Sequence, residues 1–335
     1  MAGPENINLA ILGAGRIGRV HARAISGNDR AVLAAVSDPI QAAADDVALH
    51  FGATARTVDD IIADPAIDAV VICTPTDLHA DQIEQCARAG KAIFCEKPID
   101  LDADRVRDCL KVVADCDASL MVGFNRRFDP HFMALKAAIL DGRIGKPEMA
   151  IITSRDPGAP PADYIKRSGG IFRDMMIHDF DMAVFLMGEL PESVMATGSV
   201  LTEPEIATLG DFDSATAILR WADGRQVSIS NSRRAVYGYD QRIEVHGSDG
   251  MVAAQNEHPI NIEVATSTGY ERPPLHDFFM TRYVAAYANE IDAFIASMTQ
   301  SVSSVPTGED GLNALLIADA ALDSARTGKS ITIAS

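Results

Sequence analysis

The sequence predicts an α/β chain in which a doubly wound parallel sheet is followed by an α+β domain with a large, mostly antiparallel sheet. Up to residue 124, short apolar runs alternate with helical patterns, and the first run ends in a glycine-rich turn. Such runs are typical of parallel strands covered on both faces. From residue 125 the pattern changes to longer helices and strand-like runs. We therefore predict two domains, 1–124 and 125–335, which suits a length of 335 residues.

The first domain is expected to repeat one strand–helix unit. Its predicted strands are Asn8–Leu12, Val32–Ser37, Ala69–Cys73, Ala92–Cys95 and Leu120–Gly123. Its predicted helices are Ile17–Ser26, Ile40–His50, Val58–Ala63, Leu78–Ala89 and Asp102–Ala114. Asp102 is placed to cap the last helix, and Gly90 to end the one before. Repeated units of this size predict parallel pairing with helices on both faces.

The second domain is expected to mix helices with antiparallel strands. Its predicted helices are Asp129–Leu140, Arg173–Met187, Tyr283–Met298 and Gly308–Arg326. Its predicted strands are Pro147–Asp156, Ser214–Trp221, Gln226–Arg233, Arg242–Gly247, Met251–Ala254 and Ile260–Thr266. Ala-Asp-Gly between two of these runs predicts a hairpin. Asp156–Gly170, rich in Pro and Gly, predicts a loop at the mouth of a site.

Composition and charge exclude several classes of protein. Apolar residues make up 47% and charged residues 23% of the chain, as in globular proteins. The net charge of −18 argues against binding to nucleic acid or to an anionic membrane surface. No apolar run approaches the roughly 20 residues of a transmembrane helix. An acidic enzyme with an uncharged substrate fits these values.

Cysteine usage and the N-terminus predict a cytoplasmic protein. The five cysteines are an odd number and include no C-x-x-C pair, which favours reduced structural thiols. The first six residues have neither the basic region nor the apolar core of a signal peptide.

The turn Gly13-x-Gly15-x-x-Gly18 follows the first strand and has the spacing of a Rossmann dinucleotide site. Gly13 allows the sharp turn, Gly15 lets the backbone approach a pyrophosphate, and Gly18 permits close packing of helix on strand. The free N–H groups at the start of the following helix, at Arg16 and Ile17, are expected to attract the anion. The alternative is a glycine-rich turn with no ligand.

The end of the second strand predicts the cofactor. Asp38 stands there, where a carboxylate accepts bonds from both ribose hydroxyls and repels a 2′-phosphate. The residues that follow include no Arg to hold such a phosphate. NAD is therefore favoured over NADP. Asp38 as a mere cap of the following helix remains the alternative.

A second polar group lies at Asp174, His178 and Asp181. On one continuous helix these side chains form a single stripe, given 3.6 residues per turn. Histidine suits the base that takes a hydroxyl proton, and a carboxylate can orient the ring and stabilise the imidazolium. Lys97, after the fourth strand, offers a cation for a developing alkoxide. A solvated helix face and a solvated lysine are the alternatives.

Asp174 and His178 have a spacing that a metal site also uses. The sequence has no H-E-x-x-H motif and no Cys cluster to complete such a site, so no metal is expected.

Together these motifs resemble the Gfo/Idh/MocA oxidoreductase family over essentially the whole chain. The segments that carry the resemblance are Gly13–Gly18, Cys73–His79, Glu96-Lys97-Pro98, Gly123–Asp129, Asp174–Asp181 and Tyr237–Arg242. The triplet Glu96-Lys97-Pro98 is the most specific of them. Arg126-Arg127, the Asp174/His178 pair and Tyr237–Arg242 point to the branch that oxidises inositols.

The resemblance implies roles for individual residues. Lys97, Asp174 and His178 match the family's catalytic lysine, aspartate and histidine, and the peptide bond before Pro98 is expected to be cis. The implied cofactor contacts, beyond the glycine turn and Asp38, are Thr74, Pro75, His79 and Glu96. The implied substrate contacts are Lys97, Arg127, Arg155, Asp174, His178, Asp181 and Tyr237. Val184 stands where similar sequences often have Arg.

The resemblance also implies an activity and an assembly. The expected reaction is NAD-dependent oxidation of a cyclic polyol, myo-inositol to scyllo-inosose (2-keto-myo-inositol). The alternatives are a dehydrogenase of another inositol isomer or of a pyranose, an NAD-dependent glycosidase of the same fold, and a non-enzymatic NAD sensor. In this family the second domain carries an open sheet that packs against another subunit. A homo-oligomer, tetramer or dimer, is therefore expected.

Overall fold

The computed structural model describes residues 6–299 and 305–333. Residues 1–5, to which the expectation about a signal peptide applies, lie outside the described residues, as do the last two residues of the predicted second domain. The described chain divides into two compact units. Unit 1 runs to Phe128 and includes Val284–Leu312; unit 2 comprises Asp129–Tyr283 and the residues from Asn313 on. This division departs from the predicted 1–124 and 125–335, because 284–312 joins unit 1.

Unit 1 is built on a parallel six-stranded sheet. Its strands are β1 (Ile7–Leu12), β2 (Ala31–Ser37), β3 (Thr54–Ala55), β4 (Ala69–Ile72), β5 (Ala92–Glu96) and β6 (Leu120–Gly123). The order β3-β2-β1-β4-β5-β6 is that of a doubly wound Rossmann sheet, so the predicted fold is confirmed. Because all pairs are parallel, the strands end at one edge, where α/β sheets bind ligands. The short strand β3 is an outermost strand of this sheet, next to β2. It lacks an apolar run and was not predicted.

Helices connect these strands as the sequence predicts. They are α1 (Arg16–Ser26), α2 (Gln41–Phe51), α3 (Val58–Ala63), α4 (His79–Arg88) and α5 (Ala103–Asp115). The carboxylate of Asp102 accepts from the N–H groups of Asp104 and Arg105, so the predicted cap is confirmed. Gly90 lies just beyond the end of α4 at φ +69°, a conformation that favours glycine.

Unit 2 is built on a mixed, largely antiparallel seven-stranded sheet. Its strands include β7 (Pro147–Arg155), β8 (Ser193–Ser199), β9 (Ser214–Arg220), β10 (Gln226–Ser232), β11 (Asp240–Gly247) and β12 (Gly250–Ala254). A separate hairpin joins β13 (Val264–Thr266) to β14 (Gly269–Glu271), and β15 (Ile331–Thr332) pairs with β8. The order is β12-β11-β7-β10-β9-β8-β15, with only β7 and β10 parallel among the described pairs. The predicted β9–β10 hairpin is confirmed.

The remaining helices show why 284–312 joins unit 1. They are α6 (Pro130–Leu140), α7 (Ala162–Ser168), α8 (Gly170–Asp174), α9 (Ile177–Met187), α10 (Pro204–Thr208), α11 (Phe279–Arg282), α12 (Val284–Thr299) and α13 (Gly308–Thr327). The α12 side chains Ile291, Phe294 and Ile295 are fully buried in one apolar cluster with Leu9 and Ile11 of β1. Because these side chains are part of the core of the first sheet, the segment that carries them belongs to unit 1.

Three predicted elements differ from the structure. The predicted loop Asp156–Gly170 contains α7, and the predicted strand Ile260–Thr266 shortens to β13. The predicted helix Arg173–Met187 is wrong as a single helix, since α8 ends at Asp174 and α9 begins at Ile177. At this break the N–H of Met176 bonds to the carbonyl of Ile171, five residues back, at 2.8 Å. Such a wide turn interrupts the regular helical ladder.

Among the described residues, none of the helices combines the length and the apolar character needed to cross a bilayer.

Candidate active site

The glycine turn between β1 and α1 has the shape that a dinucleotide site needs. Gly13 has φ +101°, and a Cβ there would lie 2.5 Å from the carbonyl oxygen of Cys73. A Cβ on Gly18 would overlap the carbonyl oxygen of Gly13, so helix and turn meet as predicted. A Cβ on Gly15 would meet nothing within 4 Å. The turn therefore leaves room for a ligand at Gly15, in front of the first helical residues Arg16 and Ile17.

Asp38 lies at the carboxyl end of β2 and is tied to this turn. Its Oδ2 accepts from the N–H of Ala14 at 2.8 Å, and its Oδ1 accepts from the N–H of Ile40 at 2.8 Å. The N-cap of α2 is Ile40 rather than Asp38, and no side chain caps that helix. Asp38 thus stands beside the glycine turn rather than serving as the cap of α2.

Glu96 and Lys97 stand at the carboxyl end of β5. In the sheet only β4 separates β5 from β1, the strand that leads into the glycine turn. The peptide bond between Lys97 and Pro98 is cis, as the resemblance implied. Glu96 Oε1 lies 2.6 Å from Nε2 of His21, a fully buried residue of α1. The Glu96 carboxylate therefore ties the strand that carries Lys97 to the helix that follows the glycine turn. Sequence reasoning did not single out His21.

Thr74, Pro75 and His79 lie between β4 and α4. The hydroxyl of Thr74 donates to Gln82 at 2.6 Å, and Pro75 precedes a 3-10 turn at Thr76–Leu78. The buried ring of His79 lies between two carbonyl oxygens, with Nδ1 2.8 Å from that of Pro98 and Nε2 2.7 Å from that of Thr74. Burial lowers the pKa of His79, against the opposing effect of these oxygens. His79 therefore joins the Lys97–Pro98 turn to the Thr74 loop.

The thiol of Cys73, next to Thr74 in the chain, is chemically quiet. Burial raises the pKa of Cys73 well above its usual value, and the charges of Glu96 and Glu290 raise it further. A protonated, buried thiol is a poor nucleophile.

In unit 2, Asp174 ends α8 and is held by groups that the sequence analysis missed. Its Oδ1 accepts from the hydroxyl of Tyr164 at 2.8 Å. Its Oδ2 lies 3.9 Å from Nη2 of Arg233, a side chain that is only 1% exposed. Tyr164 lies in the segment predicted as a loop at the mouth of a site. Arg233 follows β10 in an Arg-Arg pair, which by itself indicates only a charged turn.

His178 and Asp181 lie on α9, across the helix break from Asp174. The prediction that Asp174, His178 and Asp181 share one continuous helix is therefore wrong, because α8 ends at Asp174 and α9 begins at Ile177. His178 is partly exposed, whereas Asp181 is buried. Between them, fully buried Asp179 accepts from the hydroxyl of Ser154 at 2.6 Å and from Nδ2 of Asn231 at 2.8 Å. Asp179 thus fixes the first turn of α9 to strands β7 and β10.

Two of the predicted substrate residues come together in unit 2. Nη1 of Arg155 donates to the hydroxyl oxygen of Tyr237 at 3.1 Å, and that hydroxyl donates to Asp240 at 2.7 Å. Burial and the Asp240 carboxylate raise the pKa of Tyr237. Tyr237 also lines an open cavity of about 550 Å³ beside Asp240 and Arg242. The phenol is thus a fixed, protonated donor at the rim of that cavity.

Arg127 lies in unit 1, on the 3-10 turn Asn125–Phe128. Its Nη2 donates to Asp310 of α13 at 2.8 Å. Burial alone would raise the pKa of Asp310, but Arg127 and the N–H and hydroxyl of Thr307 outweigh it and lower the pKa. Arg127 is thereby held in a defined orientation; its contact with substrate stays a prediction.

Within the part of the chain that the structure describes, no group of three or more His, Cys, Asp and Glu side chains is placed to hold a metal ion.

The fold and these sites define a dinucleotide-binding oxidoreductase, and known proteins agree. Residues 7–124 match the model of the oxidoreductase family with an NAD-binding Rossmann fold, and residues 132–253 match the GFO/IDH/MocA C-terminal domain. The chain belongs to the Gfo/Idh/MocA oxidoreductase family, and the resemblance is confirmed.

Individual relatives match over nearly their whole length. An inositol 2-dehydrogenase of Rhizobium meliloti (strain 1021) is 65% identical over 98% of this chain and 99% of its own. The crystal structure of a myo-inositol dehydrogenase from Corynebacterium glutamicum superposes with a TM-score of 0.94 at 42% identity, covering 98% of this chain and 99% of that one. A scyllo-inositol dehydrogenase from Lactobacillus casei, solved with NAD(H) and scyllo-inositol, superposes with a TM-score of 0.92 at 30% identity. The match covers 99% of this chain and 100% of that one.

Proposed function

We propose that this protein is an NAD-dependent dehydrogenase that oxidises one secondary hydroxyl of a cyclic polyol, and that its substrate is myo-inositol, giving scyllo-inosose. The observation that carries the proposal is the 65% identity, over 98% of the chain, to a protein named inositol 2-dehydrogenase. The presence of Lys97, Asp174 and His178 supports it, because a sensor or a binding protein has no need of all three.

The residues of unit 1 fit NAD. The open backbone at Gly15 and the start of α1 at Arg16 and Ile17 suit a pyrophosphate, and the carboxylate of Asp38 beside that turn suits ribose hydroxyls. Thr74, Pro75, His79 and Glu96 are proposed to line the nicotinamide end. When bound there, NAD would supply the acceptor for the hydride of the carbinol carbon.

The protein's own side chains handle the proton and the charge. We assign His178 as the base that takes the hydroxyl proton at a ring nitrogen. Asp174, oriented by Tyr164, stabilises the imidazolium that results. Lys97 stabilises the negative charge that grows on the substrate oxygen. Arg127, Arg155, Asp181 and Tyr237 are proposed to bind the remaining hydroxyl groups.

Formation of NADH with a panel of candidate substrates tests the proposal. The panel contains myo-, scyllo- and chiro-inositol, common aldopyranoses and glycosides, and we expect the highest kcat/KM with myo-inositol. A higher value with another polyol would leave the chemistry intact but change the substrate. Release of an aglycone without net NADH would instead identify a glycosidase. No reaction with any of them would contradict the proposed function.

We also propose a homo-oligomer formed through the outer face of the unit 2 sheet. That face exposes a set of large apolar side chains on four strands: Met149, Ile151, Met195, Ile218 and Met251. Contiguous apolar patches of this kind mark interaction surfaces. Light scattering on the wild type and on Ile151→Lys tests this. A lysine in the apolar interface should weaken association, so the measured molar mass of the assembly should be lower for the variant.

A cytoplasmic location belongs to the same proposal. All five cysteines are free and four of them are buried, as expected in a reducing compartment. Fractionation of the native cells, with activity followed in each fraction, tests it.

A further inference from the structure

A buried arginine lies beside the proposed catalytic carboxylate. The Arg233 side chain is 1% exposed, and its Nη2 lies 3.3 Å from Oδ2 of Asp211 and 3.9 Å from Oδ2 of Asp174. Neither Nη1 nor Nη2 makes a hydrogen bond with another described residue. The guanidinium is therefore held between two carboxylates by charge rather than by a bidentate hydrogen bond. Burying an arginine is costly, so its place beside these two groups calls for a reason.

Asp211 connects this arginine to the helix that carries Asp174. Its Oδ1 accepts from the N–H of Ile171 at 2.9 Å, at the start of α8. Gly170 makes this approach possible, because a Cβ there would lie 2.6 Å from the same oxygen. Asp211 thus holds the first turn of α8, while Asp174 is that helix's last residue.

Two separate parts of unit 2 therefore hold the Asp174 carboxylate. Tyr164 of α7 donates to one carboxylate oxygen, and Arg233 after β10 faces the other. The backbone of Arg233 is itself anchored, since its N–H donates to the carbonyl of Asp213 at 2.7 Å. The Asp174 side chain is 15% exposed, so most of it is screened from solvent while a small part stays accessible to solvent.

We propose that Arg233 is a positioning residue of the dehydrogenase, which orients the Asp174 carboxylate and balances its charge through the buried side of the site. This inference rests on the proposed function, in which Asp174 stabilises the protonated His178. If Arg233 paired with Asp211 alone, its role would be structural. Arg233 also faces Asp174, the carboxylate that the proposed function places in catalysis. The two roles make different predictions for activity once the stability of the fold is restored.

A double-variant comparison separates the two roles. Arg233→Met leaves two carboxylates without their cation, so it should lower both Tm and kcat. Adding Asp211→Asn removes one of these charges, while the amide oxygen still accepts from Ile171. We expect Tm to recover in the double variant and kcat to stay roughly 10²-fold low, the usual cost of a misplaced catalytic group. KM for NAD should stay near that of the wild type, because Arg233 does not belong to unit 1.

Two further variants complete the comparison. Arg233→Lys keeps a positive charge without the planar fork, so it should recover part of kcat. Arg234→Met alters the neighbouring, exposed arginine and should leave kcat unchanged. Recovery of kcat together with Tm in the double variant would overturn the proposal, and so would wild-type kcat in Arg233→Met.

Crystal structures of the wild type and of Arg233→Met test the geometry without any assumption about substrate. We expect the Asp174 carboxylate to turn away from Tyr164 in the variant; an unmoved carboxylate would contradict the inference. If the wild type formed no NADH from any polyol, the proposed function would fail, yet this structural comparison would still decide the role of Arg233.

Discussion

The carboxylate of Asp38 and the backbone of Ala14 are joined by a hydrogen bond of 2.8 Å, which ties the end of β2 to the glycine turn after β1. One carboxylate therefore has two tasks, since it shapes the turn and presents negative charge beside it. A substitution that removes the side chain affects both, and a test of cofactor choice has to separate them.

We predict that the wild type prefers NAD to NADP and that Asp38→Asn narrows the preference by about tenfold or more. A hydrogen bond to a charged group contributes about 1.5–3 kcal/mol, and a factor of ten corresponds to 1.36 kcal/mol. The measurement is kcat/KM with each cofactor. Asp38→Asn keeps an acceptor for Ala14 and loses the charge, whereas Asp38→Ser loses the charge and also shortens the side chain, which draws its acceptor back from Ala14. Equal values for the two cofactors in the wild type would show that Asp38 does not bind the ribose.

The sequence predicted the Rossmann sheet well because its pattern is local. The apolar runs of β1, β4 and β5 are continuous, and glycine spacing identifies the turn. The packing of α12 under β1 was missed, since nothing local shows which core receives Ile291 and Phe294. The helix break at Met175–Met176 was also missed. Both residues favour helix, and the break lies in a wide hydrogen-bonded turn that composition does not reveal.

The candidate site was predicted only in part. Lys97, Asp174 and His178 lie in recognisable motifs, but the two groups that hold Asp174 lie outside its motif. Tyr164 is ten residues from Asp174, and Arg233 is on another strand end. Contacts of this kind depend on tertiary structure, so they could not be predicted from the pattern of a single sequence.

We predict that Lys97→Ala lowers kcat by roughly 10²–10³-fold, the usual cost of removing one group that stabilises a developing oxyanion. Binding of NAD should change little, because Lys97 is assigned to the substrate oxygen and not to the pyrophosphate. Calorimetric titration with NAD and steady-state kinetics measure the two effects. Lys111→Ala, which removes an exposed lysine of α5, is the matched control. Loss of NAD binding with near-normal turnover would refute the assignment.

We predict that Asp310→Asn lowers the free energy of unfolding by about 1–3 kcal/mol at neutral pH, since it weakens a charge-assisted bond with Arg127. The pKa of Asp310 is lowered in the folded state. Its contribution is therefore complete above the unfolded value, about 3.9, and is lost as the pH falls from there through the lower folded value. Urea unfolding at several pH values should show the wild type and the variant converging below about pH 4.

Asp108→Asn is the control for that experiment, because Asp108 forms an exposed ion pair with Lys111. It should change stability little at any pH. A difference between Asp310→Asn and the wild type that stays constant from neutral to acid pH would contradict the assigned charge effect.

The last prediction concerns the proton that leaves the substrate. If His178 takes it, only the neutral imidazole is competent for oxidation, and an ordinary imidazole titrates near pH 6.5. The rate at saturating NAD should rise with pH through the histidine range and level off on the alkaline side. His178→Ala should remove that limb and cost roughly 10²–10⁴-fold in kcat, the usual worth of a general base.

Two variants and a control make this measurement decisive. Asp174→Asn should cost less than His178→Ala, yet still lower kcat, because an amide does not stabilise an imidazolium. His50→Ala, at an exposed histidine of α2, should leave the profile unchanged. A lysine with a depressed pKa would produce a similar limb in the wild type, so the profile of His178→Ala is the one that decides. Near-normal turnover with an unchanged limb in that variant would remove histidine from the proton path and leave Lys97 as the base.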